Sequence, residues 1–153
     1  MTLLTAYPLS VRKLPFGRFI MFAITFTMLF SGGMIPMYLQ IKNLHLIDTY
    51  WAIILPGAVS AWNIILARTY IKSSIPDEMM EAASIDGAGY TKILLRIVVP
   101  LSKPIIAVLS LFTAVGIWNS YFGPMIYLSR RPMFPLALLL RDIVARRGGQ
   151  MGD

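Results

Sequence analysis

Three long apolar stretches constrain this chain more than any other feature of its sequence. They cover residues 19–41, 49–67 and 104–128. A helix needs about 20 apolar residues to cross a bilayer, and each stretch is close to that length. A soluble amphipathic helix would carry polar residues every three or four positions, and these stretches do not. The pattern predicts an all-α membrane protein with three transmembrane helices.

Glycine, proline and charged residues mark the expected interruptions and ends of these spans. The triplet Ser31-Gly32-Gly33 interrupts the first span, and Arg68 closes the second. The pairs Pro56-Gly57 and Gly123-Pro124 can break the helices that contain them. The apolar tail at residues 134–144 is too short to span a bilayer, so we expect an interfacial or protein-packed helix there.

Composition supports a lipid environment and excludes several classes of function. Hydrophobic residues make up 57% of the chain, whereas soluble domains have about 45–50%. The net charge is +7, but the basic residues lie between the apolar runs, which argues against nucleic-acid binding. Without cysteine there is no cysteine-based zinc site, thiol nucleophile or disulfide. His45 is interpreted as an exposed loop residue, and no catalytic residue, metal or cofactor is expected.

Lysine and arginine in the connectors predict the orientation of the spans. The leading segment carries Arg12, Lys13 and Arg18, and the connector 68–103 carries five basic residues. The connector 42–50 has one, so the positive-inside rule places it outside and the other two segments in the cytoplasm. The third span then leaves the cytoplasm. Five arginines follow it on the outer side, against the rule: Arg130, Arg131, Arg141, Arg146 and Arg147.

Residues 74–100, between the second and third spans, are predicted to form two short amphipathic helices. Ser74 can cap the first helix, Pro76 fits its first turn and Asp77 complements its dipole. Gly87 provides a stop after Asp86. The second helix is expected over residues 90–98, halted by Pro100. Its apolar residues Ile93, Leu94 and Ile97 lie on one face. Its basic residues Lys92 and Arg96 lie on another.

The first loop helix has the residues of a docking surface. Ala82 and Ala83 allow a partner to approach closely, and Glu81 can pair with an arginine of that partner. Met79 and Met80 suit an adaptable contact surface. A helix lying on the membrane surface is the alternative, and residue spacing alone does not decide between the two.

The string EAASIDGAGYTKILLRIVVPLSKP resembles the EAA signature of permease subunits in binding-protein-dependent ABC importers. Its matching positions are Glu81, Ala82, Ala83, Asp86, Gly87, Ala88, Ile97, Pro100 and Pro104. The strings SGGMIPMYLQIKNLHLIDTYWAIILPGAVSAWN and WNSYFGPMIYL are similar to maltose-type carbohydrate permeases, particularly the oligosaccharide and complex-sugar branch. The resemblance covers roughly residues 1–140.

This resemblance implies a type I ABC importer permease fold with six spans in the bacterial cytoplasmic membrane. Residues 1–153 would be one partial transmembrane domain with the third to fifth spans, and residues 74–100 its cytoplasmic coupling loop. The implied partners are an ABC ATPase subunit in two copies, a second permease subunit, an extracytoplasmic solute-binding protein and membrane lipid. Carried over by position, Glu81 would pair with a basic group of the ATPase, and Gly87 would form the turn. The other coupling residues are Ala82, Ala83 and Asp86.

Polar and aromatic residues within the spans are the candidates for solute contact. We single out Asn63, Trp118, Asn119 and Tyr121, because amides and aromatic faces suit sugars. The alternative is that they anchor the span ends at the interface or hydrogen-bond between helices.

Other functions stay open at this point. The chain is an inactive truncated permease in one alternative, and part of an importer of a non-sugar solute in another. A membrane-associated hydrolase would need carboxylates such as Asp77, Glu78, Glu81 and Asp86. These carboxylates have no histidine or cysteine partner in the loop.

Overall fold

The computed structural model describes residues 1–11, 14–30 and 32–150, and only the backbone within 145–150. In this part of the chain every regular element is a helix, as expected for an all-α protein. Arg12, Lys13, Ser31 and the side chains of Arg146 and Arg147 lie outside the described set. The elements are α1 (Thr2–Ser10), α2 (Gly17–Leu29), α3 (Met34–Asn43), α4 (Trp51–Gly57), α5 (Ala61–Ser74), α6 (Asp77–Ile85), α7 (Tyr90–Ile93), a π-helical segment (Leu94–Val98), α8 (Val99–Leu101), α9 (Lys103–Trp118), α10 (Phe122–Tyr127), a 3-10 turn (Arg131–Met133) and α11 (Leu136–Gln150).

The chain divides into two compact units. The first comprises Met1–Ser31 and Ala58–Ser110, and the second comprises Gly32–Gly57 and Leu111–Asp153. The coupling loop predicted at 74–100 lies entirely in the first unit.

The core of the first unit forms where α5 packs along α1. Ala6 and Ala67 are fully buried in it, and these small residues let the two helices approach closely. Ile64 and Ile71 are buried on the same side of α5. The first unit therefore has an apolar platform directly before the loop.

Arg68 connects α5 to the end of α1. We expected Arg68 to close the helix, but α5 continues to Ser74. Its side chain is half-buried, and Nε donates to the carbonyl oxygen of Leu9 at 2.8 Å. The last carbonyls of a helix lack partners within it, so this bond satisfies one of them.

Replacing Arg68 with methionine should lower the stability of the first unit. The change keeps most of the apolar stem but leaves the Leu9 carbonyl without its charged donor. We expect a loss of about 1–3 kcal/mol, measured as reduced thermal stability of the detergent-solubilised protein by size-exclusion chromatography. Arg96→Met is the matched control, because Arg96 is exposed. Equal thermal stability of both variants would contradict a structural role for Arg68.

No single helix among the described residues is both long and apolar enough to cross a membrane. Three successive helix pairs meet the length and composition requirement only when joined across a bend. They are Gly17–Leu29 with Met34–Asn43, Trp51–Gly57 with Ala61–Ser74, and Tyr90–Leu101 with Lys103–Trp118. The first two pairs coincide with the predicted stretches 19–41 and 49–67, whereas the third pair joins the end of the coupling loop to α9.

Two of these breaks lie where glycine and proline predicted an interruption. α2 ends at Leu29, and Gly33 precedes α3 with φ of 86°. This left-handed conformation favours glycine. α4 ends at Gly57, directly after Pro56.

A further break, inside the predicted stretch 104–128, differs from the prediction. α9 ends at Trp118, and α10 begins at Phe122, so the chain breaks before Gly123-Pro124. Pro124 lies in the first turn of α10, where its missing N–H costs no helical hydrogen bond.

In the second unit, the connector after α3 bonds to the end of α10. The N–H of Asp48 donates to the carbonyl oxygen of Tyr127 at 3.0 Å. The Asp48 carboxylate in turn accepts from the N–H of Ser129. The rings of Tyr38 and Tyr127 stack with centroids 6.3 Å apart. His45 lies in this connector and is exposed, as predicted.

The apolar tail forms a helix, as predicted, and most of its large apolar side chains are exposed. α11 begins at Leu136, and Leu138 is buried within the second unit. The helix continues to Gln150, beyond the predicted limit at residue 144.

Several helices expose large apolar side chains to their surroundings. α2 has no buried residue, and Phe19, Phe22 and Phe26 are all exposed. On α9, Leu111 and Phe112 are exposed as well. Water-soluble monomers rarely expose contiguous patches of this kind, so these faces suit lipid or another protein chain.

Candidate functional site

The start of α6 is set by a two-residue link from α5. Pro76, at the N-cap position, has φ of −60°, and Ile75 before it is 1% exposed. Asp77 and Glu78 lie in the first turn, where carboxylates complement the helix dipole, as predicted. Ser74 is the last residue of α5, two positions before this N-cap, so the prediction that it caps α6 is wrong.

α6 ends in a Schellman turn around Gly87, which confirms the predicted stop. The N–H of Ala88 donates to the carbonyl of Ala83 at 2.9 Å, and the N–H of Gly87 to that of Ser84 at 3.1 Å. Gly87 has φ of 77°, a conformation that is costly for residues with a side chain. Ala83 and Ala88 both pack against the core of the first unit, so the turn is held from behind.

α6 turns one face to the core and the opposite face outward. Met80 and Ala83 are half-buried against the core. Glu81 and Ala82 are exposed, and Ile85 is 86% exposed. Ala82 therefore lies on an open surface as expected, but Ala83 does not. Successive residues are about 100° apart around a helix, which turns Ala83 inward.

A cleft of about 720 Å³ lies beside the exposed face of α6. Its walls come from α1, α6, the turn after α6 and the start of α7. Asp77, Glu78 and Glu81 line it together with Tyr7 and Tyr90. None of the lining residues that the structure describes is basic. Glu78 and Glu81 bring carboxylates to this cleft, and a cationic group can form charge-assisted hydrogen bonds with them.

The second loop helix starts at Tyr90 as predicted, but Pro100 does not stop it. The chain passes through the π-helical segment into α8, which contains Pro100. The N–H of Val99 reaches back five residues to the carbonyl of Leu94. This wider turn lies directly before the proline, and such turns are a recognised way for a helix to absorb an interruption.

The two predicted faces of this second helix are present. Ile93 and Leu94 are buried, and Ile97 is half-buried against the core. Lys92 and Arg96 are exposed.

The candidate solute contacts belong to both units. Asn63, in the first unit, is half-buried in the first turn of α5, and its N–H donates to Oγ of the N-cap residue Ser60 at 3.5 Å. Asn119, in the second unit, donates from Nδ2 to the carbonyl of Val115 at 3.0 Å. Both asparagines therefore hydrogen-bond close to a helix end.

The two aromatic candidates are in the second unit. Trp118 is the last residue of α9 and is 69% exposed. Tyr121 is exposed too, and the Arg141 guanidinium carbon lies 4.7 Å from the centre of its ring. The sequence drew attention to Arg141 only as a charge on the unexpected side of the membrane.

Sequence and structure comparisons agree on one family. Residues 1–143 match the family described as "Binding-protein-dependent transport system inner membrane component". The polygalacturonan/rhamnogalacturonan transport system permease protein YtcP of Bacillus subtilis (strain 168) is 47% identical over 150 residues, which is 98% of this chain and 52% of that protein. The melibiose/raffinose/stachyose import permease protein MelC of the same organism is 34% identical over 122 residues, 77% of this chain and 44% of MelC.

A solved structure shares the fold. It is the crystal structure of a bacterial ABC transporter involved in the import of the acidic polysaccharide alginate. The match has a TM-score of 0.85 and 39% identity, over 90% of this chain and 49% of the other. The chain thus spans about half the length of the proteins that it resembles. It belongs to the family of binding-protein-dependent transport system inner membrane components.

Proposed function

We propose that this chain is the core of a permease subunit that imports an oligosaccharide across the bacterial cytoplasmic membrane. It would cross that membrane several times and work in an ABC importer driven by a separate ATPase subunit. The observation that carries the proposal is the exposed acidic face of α6, beside a cleft in the loop that bears the EAA signature. The relatives support a carbohydrate as solute, since their names refer to polygalacturonan and melibiose, and the related structure to alginate.

The ATPase subunit would dock on α6. A basic group of that subunit enters the acidic cleft and pairs with Glu81, while Ala82 leaves room for close approach. Gly87 and Asp86 would form the turn at the end of the helix, and Ala83 would hold the helix against the core of the first unit. Two ATPase copies, a second permease subunit and an extracytoplasmic solute-binding protein would complete the importer.

Closure of the two ATPase copies on ATP would displace α6 and move the spans between inward-open and outward-open states. Along the solute path, Trp118 and Tyr121 would present aromatic faces to sugar rings. Asn63 and Asn119 would offer amide groups, since each has hydrogen-bonding capacity beyond the bond described above.

Single-cysteine labelling tests the orientation on which this proposal depends. The chain has no cysteine, so one introduced thiol gives an unambiguous signal. We expect Ser84→Cys, on the coupling loop, to react with a membrane-impermeant maleimide only in inside-out vesicles. Asn43→Cys, at the end of α3, should react only in right-side-out vesicles. Both positions are exposed. Labelling of Ser84→Cys from the outside would contradict the docking role of α6.

ATP-driven uptake tests the solute class. The full-length subunit, reconstituted with its partner subunits, should accumulate oligosaccharides and not amino acids. Uptake of amino acids alone would favour the importer of a non-sugar solute. An absence of ATPase binding and of any uptake would favour the inactive permease.

A further inference from the structure

The arginines that follow α10 need a reason other than membrane insertion. In the proposed orientation they lie on the outer side, where the positive-inside rule disfavours them. Arg130, Arg131 and Arg141 are all exposed. Two of the three, Arg131 and Arg141, line a cleft of about 490 Å³ in the second unit.

Arg141 is held in place by partners that do not neutralise its charge. Its guanidinium lies over the Tyr121 ring. Its Nη1 lies 3.5 Å from Sδ of Met125, which is a weak acceptor. A guanidinium has five N–H donors, so strong donor capacity is left for an incoming group.

Arg131 is oriented by the protein too. Its Nη2 donates to Oδ2 of Asp142 at 3.2 Å, and its side chain is 64% exposed. Asp142 therefore orients the Arg131 side chain through a hydrogen bond from Nη2. The other N–H groups of the guanidinium can still donate to a ligand. Among the lining residues that the structure describes, two guanidinium groups face a single carboxylate, so their charges sum to a positive value.

The remaining walls of the cleft suit a sugar ring. Phe134 and Leu138 line it, and apolar or aromatic groups pack against the C–H faces of sugars. The volume falls within the range usual for small-molecule sites. A planar guanidinium binds a carboxylate through two parallel hydrogen bonds.

We propose that this cleft binds the carboxylate of an acidic saccharide at the outer mouth of the solute path. The inference rests on the proposed function and narrows its solute to saccharides that carry carboxylates. Arg141 makes the main contact, Arg131 makes a second, and Tyr121 holds Arg141 in position through one face of its ring.

The test compares a charged saccharide with its neutral ester. The full-length subunit, assembled with its partners in proteoliposomes, is given trigalacturonate or fully methyl-esterified trigalacturonate, and ATP-driven uptake is measured. Arg141→Gln should raise the concentration of the acid that gives half-maximal uptake by about tenfold or more, as expected for the loss of a charge-assisted hydrogen bond. Uptake of the ester should not change. Arg141→Lys keeps the charge and should have an intermediate effect.

Arg130→Gln is the matched control, because Arg130 is exposed but does not line the cleft. It should leave the uptake of both saccharides unchanged. Equal losses for acid and ester in Arg141→Gln would overturn the inference and show that Arg141 supports the fold. Weaker binding of the ligand-free solute-binding protein would overturn it in favour of a protein-docking surface. If the wild-type importer takes up neither saccharide but accumulates another class of solute, the proposed function fails as well.

Discussion

Replacing Glu81 with lysine in the full-length subunit is expected to abolish co-purification with the ATPase subunit. The side chain is exposed and lines the acidic cleft, so lysine would set a positive charge against the basic group proposed to enter it. Loss of one partner from a charge pair that is buried and hydrogen-bonded in an interface costs about 2–5 kcal/mol, and reversal of its charge adds repulsion. Membrane insertion should be unaffected. Affinity purification from solubilised membranes measures the association.

Two variants separate a specific pair from a general effect of charge. Glu81→Gln keeps the size of the side chain and should weaken the association without abolishing it. Glu78→Lys makes the same change in charge one turn earlier, and we expect a smaller loss from it. If Glu78→Lys and Glu81→Lys weaken the association equally, the specific role of Glu81 is refuted.

Replacing Gly87 with valine should also weaken the association of the loop with the ATPase subunit, in this case by straining the backbone. A β-branched residue is strongly disfavoured at φ of 77°. The left-handed region costs about 1–2 kcal/mol for ordinary L-residues. The chain would leave this conformation and lose the hydrogen bonds from Gly87 and Ala88 that close α6. We expect reduced thermal stability and at least about tenfold weaker association with the ATPase subunit.

The loop provides its own controls for this variant. Gly87→Asn should retain most of the stability and association, because asparagine tolerates the left-handed region. Gly89→Val should leave thermal stability nearly unchanged, since Gly89 has φ of −68° and a Cβ there meets no atom within 4 Å. Similar destabilisation by valine at both positions would show that backbone conformation is not the cause.

Local rules predicted the parts of the loop that depend on a few adjacent residues. The stop at Gly87 and the acidic first turn of α6 follow from conformational preference and helix dipole, and both are present. Ser74 was wrong as a cap, because α5 continues through that position and places the N-cap at Pro76. Pro100 was wrong as a stop, because the π-helical segment before it absorbs the interruption.

Longer-range contacts account for the other differences. Arg68 was predicted to end a span, yet its bond to the Leu9 carbonyl joins residues 59 positions apart, which no local pattern reveals. Ala83 matched the signature as well as Ala82 did, but only the packing of α6 shows which of the two faces outward. Likewise, the cleft around Arg131 and Arg141 depends on how α11 folds back on α10.

The two residues between α5 and α6 have a mechanical consequence. The ring of Pro76 fixes its φ, and Ile75 is buried in the core of the first unit. A flexible glycine linker would let the loop swing while the spans stayed still. This short link restricts independent movement of α6, so we expect a displacement of α6 to move α5 as well.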